Sequence, residues 1–215
     1  MTTGRFIALE GGEGAGKSTQ AWLLAEALRA RGIEVVVTRE PGGTPGAEAI
    51  RKLLLEGAPG DEGAGWKPRA EALLFAAARS DHVESLIRPT LARGGWVVCD
   101  RFLDSSRAYQ GGGGGLSDDD IIALHAIGSQ GMLPDLTVLI EVAPDVAAQR
   151  LALRDTHGTD RIGGRDTAYH ARVAQAFATF AETEPQRFAR IDGNGTPEET
   201  RAGVWDALIP LLPPA

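Results

Sequence analysis

Cysteine occurs once in the 215 residues, at Cys99, which excludes an internal disulfide framework and a multi-cysteine zinc site and points to a reducing, cytoplasmic setting. Long apolar runs are also missing. Stretches such as Leu136 to Val142 fall far short of the ~20 residues that span a bilayer, so no membrane partner is expected. The first ten residues, Met1 to Glu10, lack the basic stretch, apolar segment and small-residue site of a secretory signal. Lysine is scarce, with three against nineteen arginines, and the formal charge of -7 leaves no broad cationic face for nucleic acid. A polyanionic ligand must then be gripped by local clusters, and arginine suits two-pronged contact with phosphate.

What is present is a regular alternation. Apolar runs of strand length recur at Arg5 to Glu10, Glu34 to Thr38, Gly95 to Cys99, Leu136 to Val142 and Phe188 to Asp192. Helix-length segments separate them: Lys17 to Arg31, Gly46 to Glu56, Arg69 to Ala92, Asp118 to Ile127, Asp145 to Arg154, Ala168 to Thr183 and Pro197 to Leu211. This order predicts one α/β domain over residues 1–215, with a five-stranded parallel sheet between two helical layers and ligands at the carboxyl ends of the strands. Two polar, glycine-containing stretches, Gly57 to Trp66 and Asp155 to Thr167, read as surface loops.

Residues Gly11 to Thr19 read GGEGAGKST and satisfy G-x-x-x-x-G-K-[ST] through Gly11, Gly16, Lys17 and Ser18. Glycines let the backbone amides of Gly12, Glu13, Gly14 and Ala15 turn inward on phosphates, and the helix that follows offers its positive end. Lys17 then reaches the outer phosphates and the Ser18 hydroxyl reaches a Mg²⁺ ion. The motif alone serves kinases, switch GTPases and ATP-driven machines alike. Further on, WVVCDRF places Asp100 at the carboxyl end of a buried strand, level with that loop, and sets Arg101 beside it.

In order along the chain, GGEGAGKST, TREPGGTPGAEAIRKLLLEG, LLFAAARSDHVE, CDRFLDSSRAYQGGG, PDLTVLIEV and DRIGGRD resemble the thymidylate kinases of bacterial type. The resemblance runs from about Phe6 to beyond Val173. It implies the three-layer P-loop fold, ATP with Mg²⁺ as donor, dTMP as acceptor and a homodimer. It also implies site roles. Phe75 stacks on thymine, Arg79 one helical turn later bonds its carbonyl, and Ser106 and Gln110 complete the contacts to the base. Arg51 and Arg101 hold the acceptor phosphate, Tyr109 guards the sugar against a 2′-hydroxyl and Glu13 meets the 3′-hydroxyl. The turn at Glu40 and Pro41 brings backbone to that phosphate through a cis peptide bond.

The resemblance further implies a short mobile lid, about residues 150–167, that supplies the arginine which the loop Glu13-Gly14-Ala15 does not carry. Arg150, Arg154, Arg161 and Arg165 are the candidates, with Arg154 and Arg161 assigned to phosphate and Arg150 to the adenine side. Three departures bear on loop and lid: five glycines from Gly111 without the usual arginine, Arg107 in place of a smaller residue, and Gly163 in place of a lid acid. Phosphoryl transfer needs chiefly in-line positioning and cations facing the developing charge, so Lys17, Arg101, Arg154 and Arg161 are the catalytic candidates. Two other readings compete: a P-loop kinase of a different nucleoside monophosphate, and a nucleotide-dependent switch that ignores dTMP.

Overall fold

The computed structural model describes residues 4–57, 65–154 and 161–213. Five parallel strands, β1 (Phe6–Glu10), β2 (Val35–Arg39), β3 (Trp96–Asp100), β4 (Leu136–Glu141) and β5 (Phe188–Asp192), lie in the order β2-β3-β1-β4-β5. The central strand β1 pairs with β3 through Leu9 and Asp100 and with β4 through Glu10 and Leu139. Its five residues are all buried, as an apolar strand covered on both faces requires. Ile7 and Leu9 point into one core with Leu24, Leu28, Val204 and Leu208, while Phe6 and Ala8 point into the other with Val83, Ile87, Phe102 and Ile121. That period of two makes three layers out of one strand pattern.

The helices are α1 (Lys17–Arg29), α2 (Pro45–Glu56), α3 (Pro68–His82), α4 (Arg88–Ala92), α5 (Leu103–Ser106), α6 (Asp118–Ser129), α7 (Pro144–Arg154), α8 (Thr167–Thr183) and α9 (Pro197–Leu208). Local signals set several of their starts. Thr44, Ser117, Asp166 and Thr196 cap α2, α6, α8 and α9 with side-chain oxygens, and Thr196 with Glu199 closes a capping box. Among the described residues, no helix is long and apolar enough to cross a membrane.

Two features depart from the expected helices. The segment Arg69 to Ala92 is not one helix: a π-helical turn, Val83–Ile87, divides α3 from α4. The chain after β3, for which no helix is expected, winds into α5 and a second π-helical segment, Arg107–Gly113. Glycine makes this second segment possible. A Cβ at Gly112 would sit 2.6 Å from the Ala176 side chain on α8, so the helix packs directly against bare backbone.

Cys99 is fully buried in β3, its thiol donating to the Arg101 carbonyl at 3.0 Å. Burial pushes that thiol well above its usual range.

Candidate active site

The chain leaves β1 at Gly11 and β3 at Arg101, two neighbouring strand ends, and between these exits lies a cavity of about 520 Å³. The loop Glu13 to Thr19 forms one wall. Gly14 there has φ 73°, and a Cβ on it would lie 2.8 Å from the Ala147 carbonyl of α7, so only glycine lets α7 approach the loop this closely. Lys17 opens α1 and is itself buried, 6% exposed, rather than open to solvent, donating to the carbonyls of Gly11 at 3.1 Å and Gly12 at 2.7 Å. Burial, with the nearby charge of Arg101, lowers its pKa to about 8. An entering anion opposes both effects, because a phosphate beside the ammonium favours the charged form.

From the end of that loop Ser18 Oγ donates across to Asp100 Oδ2 at the end of β3, and Asp100 Oδ1 is buried with no hydrogen-bond partner. A buried carboxylate oxygen left unsatisfied is costly without a cation. Hydroxyl and carboxylate oxygens are the donors that Mg²⁺ takes, usually one or two from protein with water and phosphate oxygens completing the shell. The residues present therefore fit the ion.

Arg101 occupies a left-handed backbone conformation, φ 73°, sparsely populated for any residue but glycine. Its guanidinium donates to Glu13 at 2.6 Å, to Ser105 at 3.2 Å and to the Gly11 carbonyl at 3.3 Å, and lies 4.8 Å over the Tyr109 ring. These contacts hold the backbone there and aim a cation between the two strand ends. Tyr109 is nearly buried and donates to Glu13 at 2.9 Å; burial pushes its phenol above its usual range, so the hydroxyl stays a donor.

The acceptor side gathers Arg51, Phe75, Tyr109 and Gln110 along the same cavity. The Glu40-Pro41 peptide bond is cis, as the TREPGG resemblance implies, and Arg51 donates to the Pro41 carbonyl at 2.7 Å. Arg39, Arg51, Arg101, Arg150 and Lys17 all line the space, so a chain of net charge -7 concentrates cations here.

Arg79 and Ser106 stand one layer deeper than a direct contact with a base implies. Arg79, 3% exposed, donates to Glu40 at 2.7 Å, the Phe102 carbonyl at 3.0 Å and Ser106 Oγ at 2.9 Å, and neither residue lines the cavity. Glu40 is likewise committed: its second oxygen accepts from His82, whose other ring nitrogen meets Thr38 at 2.8 Å. Arg107, which stands in place of a smaller residue, is buried too. It bonds Asp104, Asp118 and Glu184 and lies 4.0 Å over Phe180, tying α5, α6 and the end of α8 together.

Of the lid candidates, Arg150 lines the cavity and donates to the Gly193 and Gly195 carbonyls at 2.8 and 2.9 Å. Arg165 turns away to Tyr169 and Glu71. Arg161 does not line the cavity, although its neighbour Ile162 does. The side chain of Arg154 and residues 155–160 lie outside the described residues.

The sequence reading passes over Glu10 and Glu71. Glu10 ends β1 fully buried and accepts from the backbone amides of Phe102 and Ser105 and from the Ser105 hydroxyl, at 2.8, 3.0 and 2.5 Å, which fixes the turn carrying Arg101. An acid closing an otherwise apolar strand is the signal for it. For Glu71 the signal is its four-residue spacing from Phe75 and eight from Arg79, one face of α3.

A parallel sheet of this strand order, a lysine-bearing phosphate loop and a second cationic pocket across one cavity define a P-loop kinase. Comparison with known proteins narrows the class. The family model for thymidylate kinase matches residues 9–204. The chain is 59% identical over 210 residues to the thymidylate kinase of Rhizorhabdus wittichii, covering 98% of this chain and 99% of that one. It is 50% identical over 212 residues to that of Chromohalobacter salexigens, covering 99% and 98%. The crystal structure of thymidylate kinase from Ehrlichia chaffeensis superposes with a TM-score of 0.77 at 32% identity, over 95% of this chain and 98% of that one. The chain belongs to the thymidylate kinase family.

Proposed function

We infer that this chain transfers the γ-phosphoryl group of ATP to dTMP, giving dTDP. The observation that carries the reading is one cavity with Lys17 and its loop on one side and Arg51, Arg101, Phe75 and Gln110 on the other, in a chain of this family. A switch protein has no use for the second half of that cavity.

Lys17 and the amides of residues 12 to 16 bind the donor phosphates, and Arg150 borders the nucleoside end, where its bonds to Gly193 and Gly195 support the adenine side. Ser18 and Asp100 would hold Mg²⁺. When bound, that ion neutralises charge on the donor phosphates. Arg51 and Arg101 bind the dTMP phosphate and line it up with the donor. Phe75 stacks on the base, Tyr109 and Glu13 border the sugar, and Glu40 with Pro41 shapes the turn behind the phosphate. Arg79 and Ser106 back the base pocket, and reaching thymine directly requires Arg79 to exchange one of its present bonds. Rate comes from in-line positioning and from cations facing the transferred group, not from a strong base, since the acceptor is already a phosphate anion.

The lid reading rests on flanks that line the cavity: Arg150 and Leu151 before residues 155–160, Ile162 after. Closure over both substrates would bring Arg154 and Arg161 to the transferring group and exclude water. Single-domain organisation over residues 1–215, a homodimer and a cytoplasmic location complete the reading. The dimer is supported by Leu73 on α3 and Ile122 and Ile127 on the adjoining α6, large apolar side chains left exposed.

A coupled ADP-release assay with Mg-ATP and a panel of nucleoside monophosphates tests the assignment. Turnover with dTMP well above every other acceptor is expected; equal turnover across the panel, or none, overturns it.

A further inference from the structure

Glu71 is 7% exposed, and both its carboxylate oxygens are occupied. Oε1 accepts from Gln110 Nε2 at 2.9 Å, and Oε2 accepts from Arg165. Arg165 in turn donates to the Tyr169 hydroxyl at 2.6 Å, and that hydroxyl donates to the Tyr109 carbonyl at 2.8 Å. The carboxylate is thus clamped between the π-helical segment that carries Gln110 and the chain leading into α8.

The clamp has a consequence for the cavity. A glutamine amide has a donor end and an acceptor end, whereas a carboxylate paired with arginine only accepts. Beside Glu71, therefore, only the NH₂ end of Gln110 fits, since its carbonyl there would set lone pairs against lone pairs. With Nε2 committed, Oε1 is the end left for the cavity, which Gln110 lines although it is 2% exposed. Thymine and uracil present an N3–H donor between two carbonyls, while cytosine presents a bare N3 acceptor. A fixed acceptor in the base pocket bonds the first pair and meets the second with an unpaired buried lone pair.

We propose that Glu71 is a positioning residue that locks the Gln110 amide as an acceptor, and so makes the base pocket select pyrimidines bearing N3–H over cytosine. The inference rests on the dTMP reading above and deepens it. Glu71 touches no substrate; it acts through Gln110.

The test is titration calorimetry of dTMP and dCMP, with kcat and KM for both, on the wild type, Glu71→Gln, Gln110→Ala and the double variant. Glu71→Gln keeps shape and packing but offers an NH₂ group, so Gln110 can turn its carbonyl toward it. The ratio of dTMP to dCMP affinity should fall about tenfold or more, with the change in Kd and KM rather than in kcat. In the Gln110→Ala background the same substitution should change the ratio less than about twofold, because the group it acts through is gone. Should Glu71→Gln not be recovered folded, Glu71→Asp withdraws the carboxylate from Gln110 by one methylene and should lower the ratio likewise. An unchanged ratio with both ligands weakened equally, or an equal fall in the Gln110→Ala background, overturns the role of Glu71. A wild type that does not prefer dTMP overturns the reading beneath it instead.

Discussion

Glu10 is shut away from solvent, and burial, helped by the nearby charge of Asp104, raises its pKa to about 7 despite three hydrogen bonds to the carboxyl. A folded value above the unfolded one means the native state holds the proton more tightly. The stability this confers is whole below about pH 4.5 and drains away as pH rises through about 7, some 3 kcal/mol in all. Thermal melts between pH 5 and 7, below the value of about 8 at which Lys17 titrates, should show the wild type losing stability while Glu10→Gln holds steady. Parallel curves for the two proteins would assign the loss to another group. Arg79 acts through three buried contacts instead. Arg79→Ala leaves Glu40 buried with only His82 beside it, so the melting free energy should drop by about 3 kcal/mol or more. dTMP binding should weaken more than ATP binding, and equal losses for both nucleotides would mark the residue as structural alone.

Residues 155–160 follow α7 and are separated from α8 by residues 161–166; on the proposed lid role, an arginine here has most to contribute to rate. Substitution of Arg161 or Arg154 by Ala should lower kcat about 10²-fold or more while moving the dTMP dissociation constant only modestly. Single-turnover kinetics beside dTMP titration would expose the idea as wrong if chemistry were unchanged in both variants. The strands of this molecule were readable to within a residue or two: β1, β3 and β4 are apolar runs buried on both faces of the sheet, and β2 and β5 at its edges are half-exposed but keep strand length and spacing. The phosphate loop and Asp100 were readable because fixed spacing and glycine content carry them, whereas the cis bond before Pro41 was carried by the TREPGG resemblance alone. The π-helical turns were not: Val83–Ile87 simply continues a helical pattern, and Arg107–Gly113 ends in three glycines that argue against a helix, whereas packing of α8 against that bare glycine backbone shapes it. Arg79 and Ser106 show the same limit at the site. Their residue types signal polar contact, but whether the partner is a ligand or another side chain depends on depth, which only the fold supplies.

Across the whole molecule, charge is sorted: an acidic exterior surrounds a cavity lined by Lys17 and four arginines, which favours anionic ligands there and discourages them elsewhere. The apolar side chains of Leu73, Ile122 and Ile127 interrupt that polar exterior on one side, where α6 lies against α3. Light scattering coupled to size exclusion should return twice the chain mass, and Ile127→Glu should shift it toward a single chain; a single chain in the wild type would remove the dimer from the proposal. The lone thiol of Cys99 offers a gauge of the entire structure. It sits on β3, an interior strand of the sheet, just before Asp100 and Arg101, and is both buried and reluctant to ionise. A thiol-reactive dye should therefore label it only when the sheet comes apart, which makes the labelling rate a clock for global opening. Because a ligand that binds only the folded state lowers the open population by mass action, nucleotides should slow that clock in proportion to their occupancy. The chain thus carries a built-in occupancy meter, with no introduced cysteine and no need for turnover.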